Sequence, residues 1–230
     1  MNGDGKDDFI IGSLFEGVFV YSGATGAQIH HFTAPSVDVY GRSVSSIADM
    51  NADGKRDILI GATEEDVFNP DTGYVEVRSG ATGALLLTIT GTQVNHRFGW
   101  KVEDAGDWNG DGQPDIFVSS DPTSSADAYA SIHSGVDGST LATFTSLVPG
   151  GDPGYSLGGL GGVDADGKRD VACGAHLAAP NGMASGQVEV YSSPFVSCGS
   201  IVNYCLSNPN SSGNAATISA GGSTSVSTNA

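Results

Sequence analysis

Basic side chains are scarce in this sequence: nine lysines and arginines stand against 26 aspartates and glutamates in 230 residues, a formal net charge of -17. Nucleic acids and anionic membrane surfaces are held through Lys/Arg patches, so that scarcity excludes both as partners. Nor is there an apolar run of membrane-spanning length, so this segment carries no membrane insertion. The opening, Met1-Asn2-Gly3-Asp4-Gly5-Lys6-Asp7-Asp8, lacks the basic region and apolar core of an export signal. Cysteine is limited to three residues without a C-x-x-C pair, which argues against structural zinc. No G-x-S-x-G, Walker-type or H-E-x-x-H signature occurs. Of the five histidines, His30 and His31 are adjacent and would point to opposite faces of a strand, while His96, His133 and His176 are scattered. All five read as surface or satisfied strand residues, and the expectation is a chain that is not an enzyme.

Glycine, by contrast, is abundant at 34 residues, without a G-X-Y period, and hydrophobic residues make up 39%. Collagen-like and wholly disordered classes are thereby excluded, and many short strands with tight turns fit better. The length is enough for a substantial core in one or two domains.

The most informative stretch is Asp49-Met50-Asn51-Ala52-Asp53-Gly54-Lys55-Arg56-Asp57, followed by the apolar run Ile58-Leu59-Ile60-Gly61-Ala62. Side-chain oxygens fall at loop positions 1, 3, 5 and 9 (Asp49, Asn51, Asp53, Asp57), with glycine at 6 and the Lys55 carbonyl at 7, the ligand order of a Ca²⁺ loop. Asp107, Asn109, Asp111, Gln113 and Asp115 repeat it position for position. A third copy has Asp164, Asp166, Lys168 and Asp170 but Gly162 at position 1, and a fourth opens the chain with Asn2, Asp4, Lys6 and Asp8. A plain Asn/Asp turn would not need the ninth-position aspartate that all four share. An EF-hand would need glutamate at position 12, where Ile60 and Val118 stand, and helical flanks.

The glycines at position 6 (Gly5, Gly54, Gly112, Gly167) are separated by 49, 58 and 55 residues, a period that belongs to propellers and solenoid arrays. Within each period the runs are strand-length, rich in β-branched and aromatic residues and bounded by Gly, Asn or Asp. Four such runs per unit make one antiparallel blade. The expected fold is therefore all-β: a β-propeller, partial or truncated, of three to four four-stranded antiparallel blades. Boundaries fall at 1–34 (partial), 35–91, 92–147 and 148–195 (partial), with a Ser/Gly/Asn/Thr-rich tail or linker at 196–230. The first copy lacks its leading strand and the fourth its last, so one could complete the other. Further repeats upstream, in a longer protein of which this is an internal piece, are the preferred expectation.

The motifs also resemble a known family. Tyr40-Gly41 and Phe98-Gly99 open their units, the fourth opening with Tyr155-Ser156, and Ile60-Gly61-Ala62 and Cys173-Gly174-Ala175 follow the loops, reduced to Ile11-Gly12-Ser13 and Val118-Ser119-Ser120 elsewhere. This pattern resembles the FG-GAP repeat of integrin α-subunit-type β-propellers, in a bacterial-type secreted form, although the final proline is absent. The resemblance covers about residues 2–192. It implies calcium in the hairpin loop between the first two strands of a blade, and ligand recognition on the opposite face, here the loops at 63–72, 91–97, 119–127, 146–154 and 176–185. It further implies an extracellular or cell-surface location and an extracellular protein or glycan ligand. An accessory propeller of a secreted hydrolase and a structural spacer in a large surface protein are the alternatives. Cys173 reads as a buried small hydrophobe, and Cys198 and Cys205 as a candidate disulfide pair if the protein is exported.

Overall fold

The computed structural model describes residues 1–33, 39–63, 72–121, 128–145, 153–163, 168–179, 185–193 and 203–206, and among them there are strands and turns but no helix. The first sheet has three strands, β1 (Phe9–Ser13), β2 (Gly17–Tyr21) and β3 (Gln28–Phe32). The second is β4 (Tyr40–Ile47), β5 (Asp57–Ala62), β6 (Tyr74–Arg78) and β7 (Leu85–Thr90). The third is β8 (Lys101–Gly106), β9 (Asp115–Ser119), β10 (Tyr129–His133) and β11 (Thr140–Thr145). The fourth is β12 (Ser156–Gly159), β13 (Val171–Ala175), β14 (Gln187–Tyr191) and β15 (Asn203–Leu206). Every pairing within a sheet joins sequence neighbours and is antiparallel. Four consecutive meanders, none closed on itself, are consistent with a partial β-propeller.

Two details differ from the sequence reading. β15 lies beyond residue 195, in the segment read as tail, and pairs with β14 through Val188↔Leu206 and Tyr191↔Asn203. The fourth sheet therefore has its own last strand, and the first remains three-stranded. Asn203-Tyr204-Cys205-Leu206 was passed over in the sequence because it lies between a serine- and glycine-containing stretch and the Ser/Asn-rich segment that begins at Ser207.

The core lies between sheets, in three layers. Val18, Val20 and Phe32 of the first sheet meet Tyr40, Ile58, Ile60 and Ala62 of the second. Leu59, Val75 and Val77 meet Val102, Ile116 and Val118. Phe117, Ala130 and Ile132 then meet Val171, Cys173 and Tyr191. Successive residues of a strand serve opposite layers, as the pleat requires. Ile58 and Ile60 point back while Leu59 points forward, so β5 is buried along its whole length and reads as an unbroken apolar run.

Glycines set the spacing of these layers. Gly99 has φ +93° and its carbonyl lies against Gly61, where a Cβ would come within 2.1 Å of it. Gly41 makes the same approach to Gly12, and Gly154 to Ser119, whose hydroxyl donates to the Gly154 carbonyl at 2.8 Å. Thus the opening glycine of one sheet rests on the small residue of β1, β5 or β9 in the preceding sheet. The fourth opening is accordingly Pro153-Gly154, not Tyr155-Ser156: Ser156, two residues on, pairs with Gly174 as Ser43 pairs with Gly61. Proline replaced the aromatic and disguised the motif.

Charge also bridges the sheets. Asp104 on β8 is buried and accepts from Gly106 N–H at 2.8 Å, Arg56 at 3.1 Å and Arg169 at 3.5 Å, the arginines coming from loops of the sheets on either side. Asp104→Ala should reduce stability by about 1–3 kcal/mol in urea titration, mainly by orphaning the buried Gly106 amide. Asp104→Asn keeps an acceptor, so it should lose less than about 1 kcal/mol, because both arginines are half exposed.

Each four-stranded sheet also carries a hydrogen-bonded pair two residues apart on its third strand, half-buried in the second sheet and mostly buried in the third and fourth. These are Arg78 with Glu76 at 2.7 Å, His133 with Ser131 at 2.9 Å, and Tyr191 with Glu189. Ser131 and His133 occupy a packed position: Nδ1 of His133 donates to the Gly138 carbonyl at 3.1 Å and Phe98 stands edge-on at 5.3 Å. Burial pushes the His133 imidazole below its ordinary 6.5. Below that pH the unfolded chain takes up a proton that the folded chain refuses, so stability falls as pH drops until the lowered folded value is reached. Denaturation midpoints at about pH 7.5 and about pH 5.5 should show this slope, and His133→Gln should lose its share of it.

Candidate metal loops

The β4–β5 and β8–β9 connections, 49–57 and 107–115, fold alike. Asp49 Oδ1 accepts from the amides of Asn51 and Asp53, both at 3.2 Å, and Oδ2 from Gly54 at 2.6 Å. Asp107 Oδ1 accepts from Gly110 at 2.8 Å and Asp111 at 3.0 Å, and Oδ2 from Gly112 at 3.0 Å. Next along, Asn51 Oδ1 accepts from Asp53 N–H and Asn109 Oδ1 from Asp111 N–H. Asp53 Oδ1 then takes the Lys55 amide at 2.9 Å, and Asp111 Oδ1 the Gln113 amide at 2.8 Å. Short oxygen side chains bonding the backbone two residues on are what turns a loop this tightly.

The ninth-position aspartates differ in kind: Asp57, Asp115 and Asp170 are fully buried and Asp8 is half-buried. Asp57 joins two segments: Oδ2 accepts from Met50 at 2.8 Å and Oδ1 from Gly80, in the β6–β7 turn, at 3.0 Å. Asp115 does the same with Trp108 at 2.8 Å and Gly135 at 3.1 Å, and Asp8 with Asn2 and Gly23. Burial raises the Asp57 carboxyl above its ordinary 3.8; the amide bonds oppose this, and the charges of Asp53 and Asp49 add to it. Burial raises Asp115 likewise, with Asp111 adding to it. A raised folded value means that these charges oppose folding at neutral pH, an effect relieved as pH falls through that value toward 3.8.

The opening loop follows the same plan from Asn2 onward: Asn2 Oδ1 accepts from Asp4 N–H and Asp4 Oδ1 from Lys6 N–H, both at 2.9 Å. In the remaining copy Asp164 and Asp166 lie outside the described residues. Asp170 there is buried and accepts from Val163 N–H, while its Oδ1 has no hydrogen-bond partner among the described residues. The Lys55 side chain is not a ligand; it reaches the neighbouring loop and donates to the Asn2 carbonyl at 3.3 Å.

Among the described residues, no three His, Cys, Asp or Glu side chains are gathered closely enough to hold a metal ion. The carboxylates are turned toward backbone amides, each with lone pairs to spare. In chemistry the donor set still fits a hard cation: it is all oxygen, its buried ninth-position carboxylates feel the like charges of their loop neighbours, and Asp170 Oδ1 is buried without a partner among the described residues.

Sequence reading missed one contributor, the serine that opens the next turn. Ser79 donates to Asp53 Oδ2 at 3.1 Å and Ser22 to Asp4 Oδ2 at 3.4 Å. A recurrent Ser-Gly-x-x-Gly (22–26, 79–83, 134–138) was the signal, since each turn closes with the glycine amide on the serine carbonyl at 2.8 Å.

At the other end of the strands, the loops expose apolar tips: Leu14 and Phe15 between β1 and β2, Val94 between β7 and β8, and Leu177 between β13 and β14. Phe15 is 93% exposed. Arg97 and buried Asp121, 3.2 Å apart, tie the 91–97 loop down. Most of 63–72, 119–127 and 146–154, and half of 176–185, lies outside the described residues, as does Cys198. Cys173 is buried in the layer between the third and fourth sheets.

Among the described residues no helix is long and apolar enough to cross a membrane. Residues 40–77, from the opening Tyr40 through the loop to β6, match the family model described as FG-GAP repeat. A comparison with curated proteins found no match.

Proposed function

From the premise that this chain carries an FG-GAP repeat, we propose that it is a non-enzymatic, calcium-binding propeller module of an extracellular recognition or adhesion protein. FG-GAP repeats are typical of extracellular or surface proteins, and each of the four sheets is taken as one blade. The observation that carries the calcium reading is the shared plan of the 49–57 and 107–115 loops, in which the first aspartate accepts from the amides at positions 5 and 6 and a buried ninth-position carboxylate stands near further aspartates, without a basic side chain among the donors. Asp49, Asn51, Asp53 and Asp57 with the Lys55 carbonyl would hold one ion, and Asp107, Asn109, Asp111 and Asp115 with the Gln113 carbonyl another. Asp164, Asp166, Asp170 and Lys168, and Asn2, Asp4, Asp8 and Lys6, form the shorter third and fourth donor sets.

Bound calcium supplies positive charge and no reaction chemistry. The chain's own residues then do mechanical work: Asp57 and Asp115 tie loop to turn, Ser79 steadies Asp53, and Lys55 links neighbouring loops. The opposite ends of the strands, with Leu14, Phe15, Val94 and Leu177 exposed, are the surface for a protein or glycan ligand. Calorimetric titration with CaCl2 should show saturable binding at the two complete loops and much weaker binding of MgCl2, which prefers stricter octahedral geometry. Absence of heat at millimolar calcium would sink the reading.

A further inference from the structure

Adjacent sheets meet through recurrent side-chain positions: one on the last strand of the earlier sheet, the aromatic that opens the later one, and the pair on its third strand. Between the first and second sheets these are Phe32, Tyr40, Glu76 and Arg78, and they close on one another. Tyr40 donates to Glu76 Oε2 at 2.6 Å, Arg78 Nε donates to the same oxygen at 2.7 Å, and the guanidinium lies 5.0 Å from the Phe32 ring. Between the third and fourth sheets Phe144 stacks on Tyr191 at 4.1 Å, and Tyr191 donates to Glu189. The middle interface is different. Ile89 stands where Phe32 and Phe144 stand, as the strand registers show, and Phe98, Ser131 and His133 take the places of Tyr40, Glu76 and Arg78. Each is shorter than its counterpart in the interface before it or lacks its polar end. A cavity of about 280 Å³ is left there, lined by these four with Tyr129, Thr143 and the exposed Gln93 of the β7–β8 loop among others.

We infer that this cavity between the second and third sheets binds the terminal sugar ring of a neutral glycan. The site rests on the recognition role proposed above and gives it a place and a ligand class. Its lining is polar without fixed charge: none of the described residues around it is Asp, Glu, Lys or Arg. Nδ1 of His133 is engaged by the Gly138 carbonyl, so Nε2 accepts from Ser131, whose oxygen keeps lone pairs for a ligand hydroxyl. Thr143 and Gln93 can both donate and accept. Phe98, Tyr129 and Ile89 supply the apolar contact that the C–H face of a sugar ring requires. Small-molecule cavities commonly span about 300–1,000 Å³, so one at the lower end is sized for a single ring. A carboxylate-bearing sugar would bring its charge into this lining without a countercharge, at a cost that its hydrogen bonds do not offset.

The probes are the α- and β-methyl glycosides of glucose, galactose, mannose and fucose, the methyl group standing for the rest of the glycan. Each is titrated into the full chain by saturation-transfer NMR, with and without excess chelator. At least one should bind saturably with a Kd near about 1 mM, as a ligand of about a dozen heavy atoms does, and the methyl glycoside of glucuronic acid should bind at least about tenfold more weakly. Thr143→Val keeps the shape and removes a hydroxyl, so binding should weaken about fivefold. Ser131→Glu combined with His133→Arg copies the Glu76–Arg78 pair, which should close the cavity and abolish binding while unfolding stays cooperative. No saturation by about 20 mM with any neutral glycoside, equal binding of the glucuronic acid glycoside, or undiminished binding by both variants would overturn the proposal. Calcium titration of the same samples reports on the acidic loops alone, so loss of this site and loss of the calcium-binding role are separate outcomes.

Discussion

Calcium is expected to raise the melting temperature of this chain, and excess chelator to return it to the starting value. A ligand that binds the folded state alone stabilises by about 2.7 kcal/mol per site at a hundred times its Kd. For a chain of this size that is a rise of roughly 5–10 °C per site. Asp53→Ala and Asp111→Ala should each remove the increment of one loop, and the double variant nearly all of it. The informative quantity is the calcium-dependent increment and not the melting temperature in chelator. Asp53 also accepts from the Lys55 amide and the Ser79 hydroxyl, so its loss costs about 1 kcal/mol without any ion. A melting curve indifferent to calcium would refute the role assigned to the loops. It would leave the fold intact, because the ninth-position aspartates bridge loop and turn through hydrogen bonds alone.

The second large effect concerns the glycine contact between sheets. Gly61→Ala places a methyl group within 2.1 Å of the Gly99 carbonyl, a backbone atom that cannot rotate away. Gly99→Ala adds backbone strain at φ +93° to a Cβ within 2.6 Å of the Tyr74 carbonyl. Either change should destabilise by about 3–5 kcal/mol, the sum of overpacking and, for Gly99, left-handed strain, measured by urea denaturation. Gly26→Ala separates the two causes: φ is +70° there, but a Cβ would meet nothing within 4 Å, so only about 1 kcal/mol should be lost. Equal losses at Gly61 and Gly26 would show that the sheets do not rest on this contact.

How legible each part was depends on how local its cause is. The loops could be read residue by residue because an Asx turn is formed by side chains acting two to five positions away, as Asp49 acts on Asn51 and Gly54. The strands of the second and third sheets were legible because burial on both faces selects unbroken runs such as Ile58-Leu59-Ile60. The serine support at Ser79 and Ser22 escaped notice because donor and acceptor are 26 and 18 residues apart. Gly154 was passed over for a different reason. Its aromatic neighbour is replaced by Pro153, and only the approach to Ser119 reveals its role.

Sequence alone determined the repeat, its period, the all-β class and the tight acidic turns at 49–57 and 107–115, since each follows from residue type and short-range spacing. Tertiary structure alone decided which surfaces meet: the glycine of one sheet on the small residue of the sheet before it, Asp104 between arginines of two flanking loops, and β15 rather than a borrowed strand at the edge of the fourth sheet. Those contacts join residues tens of positions apart, whose meeting depends on how whole sheets stack. No local pattern in the chain encodes that distance.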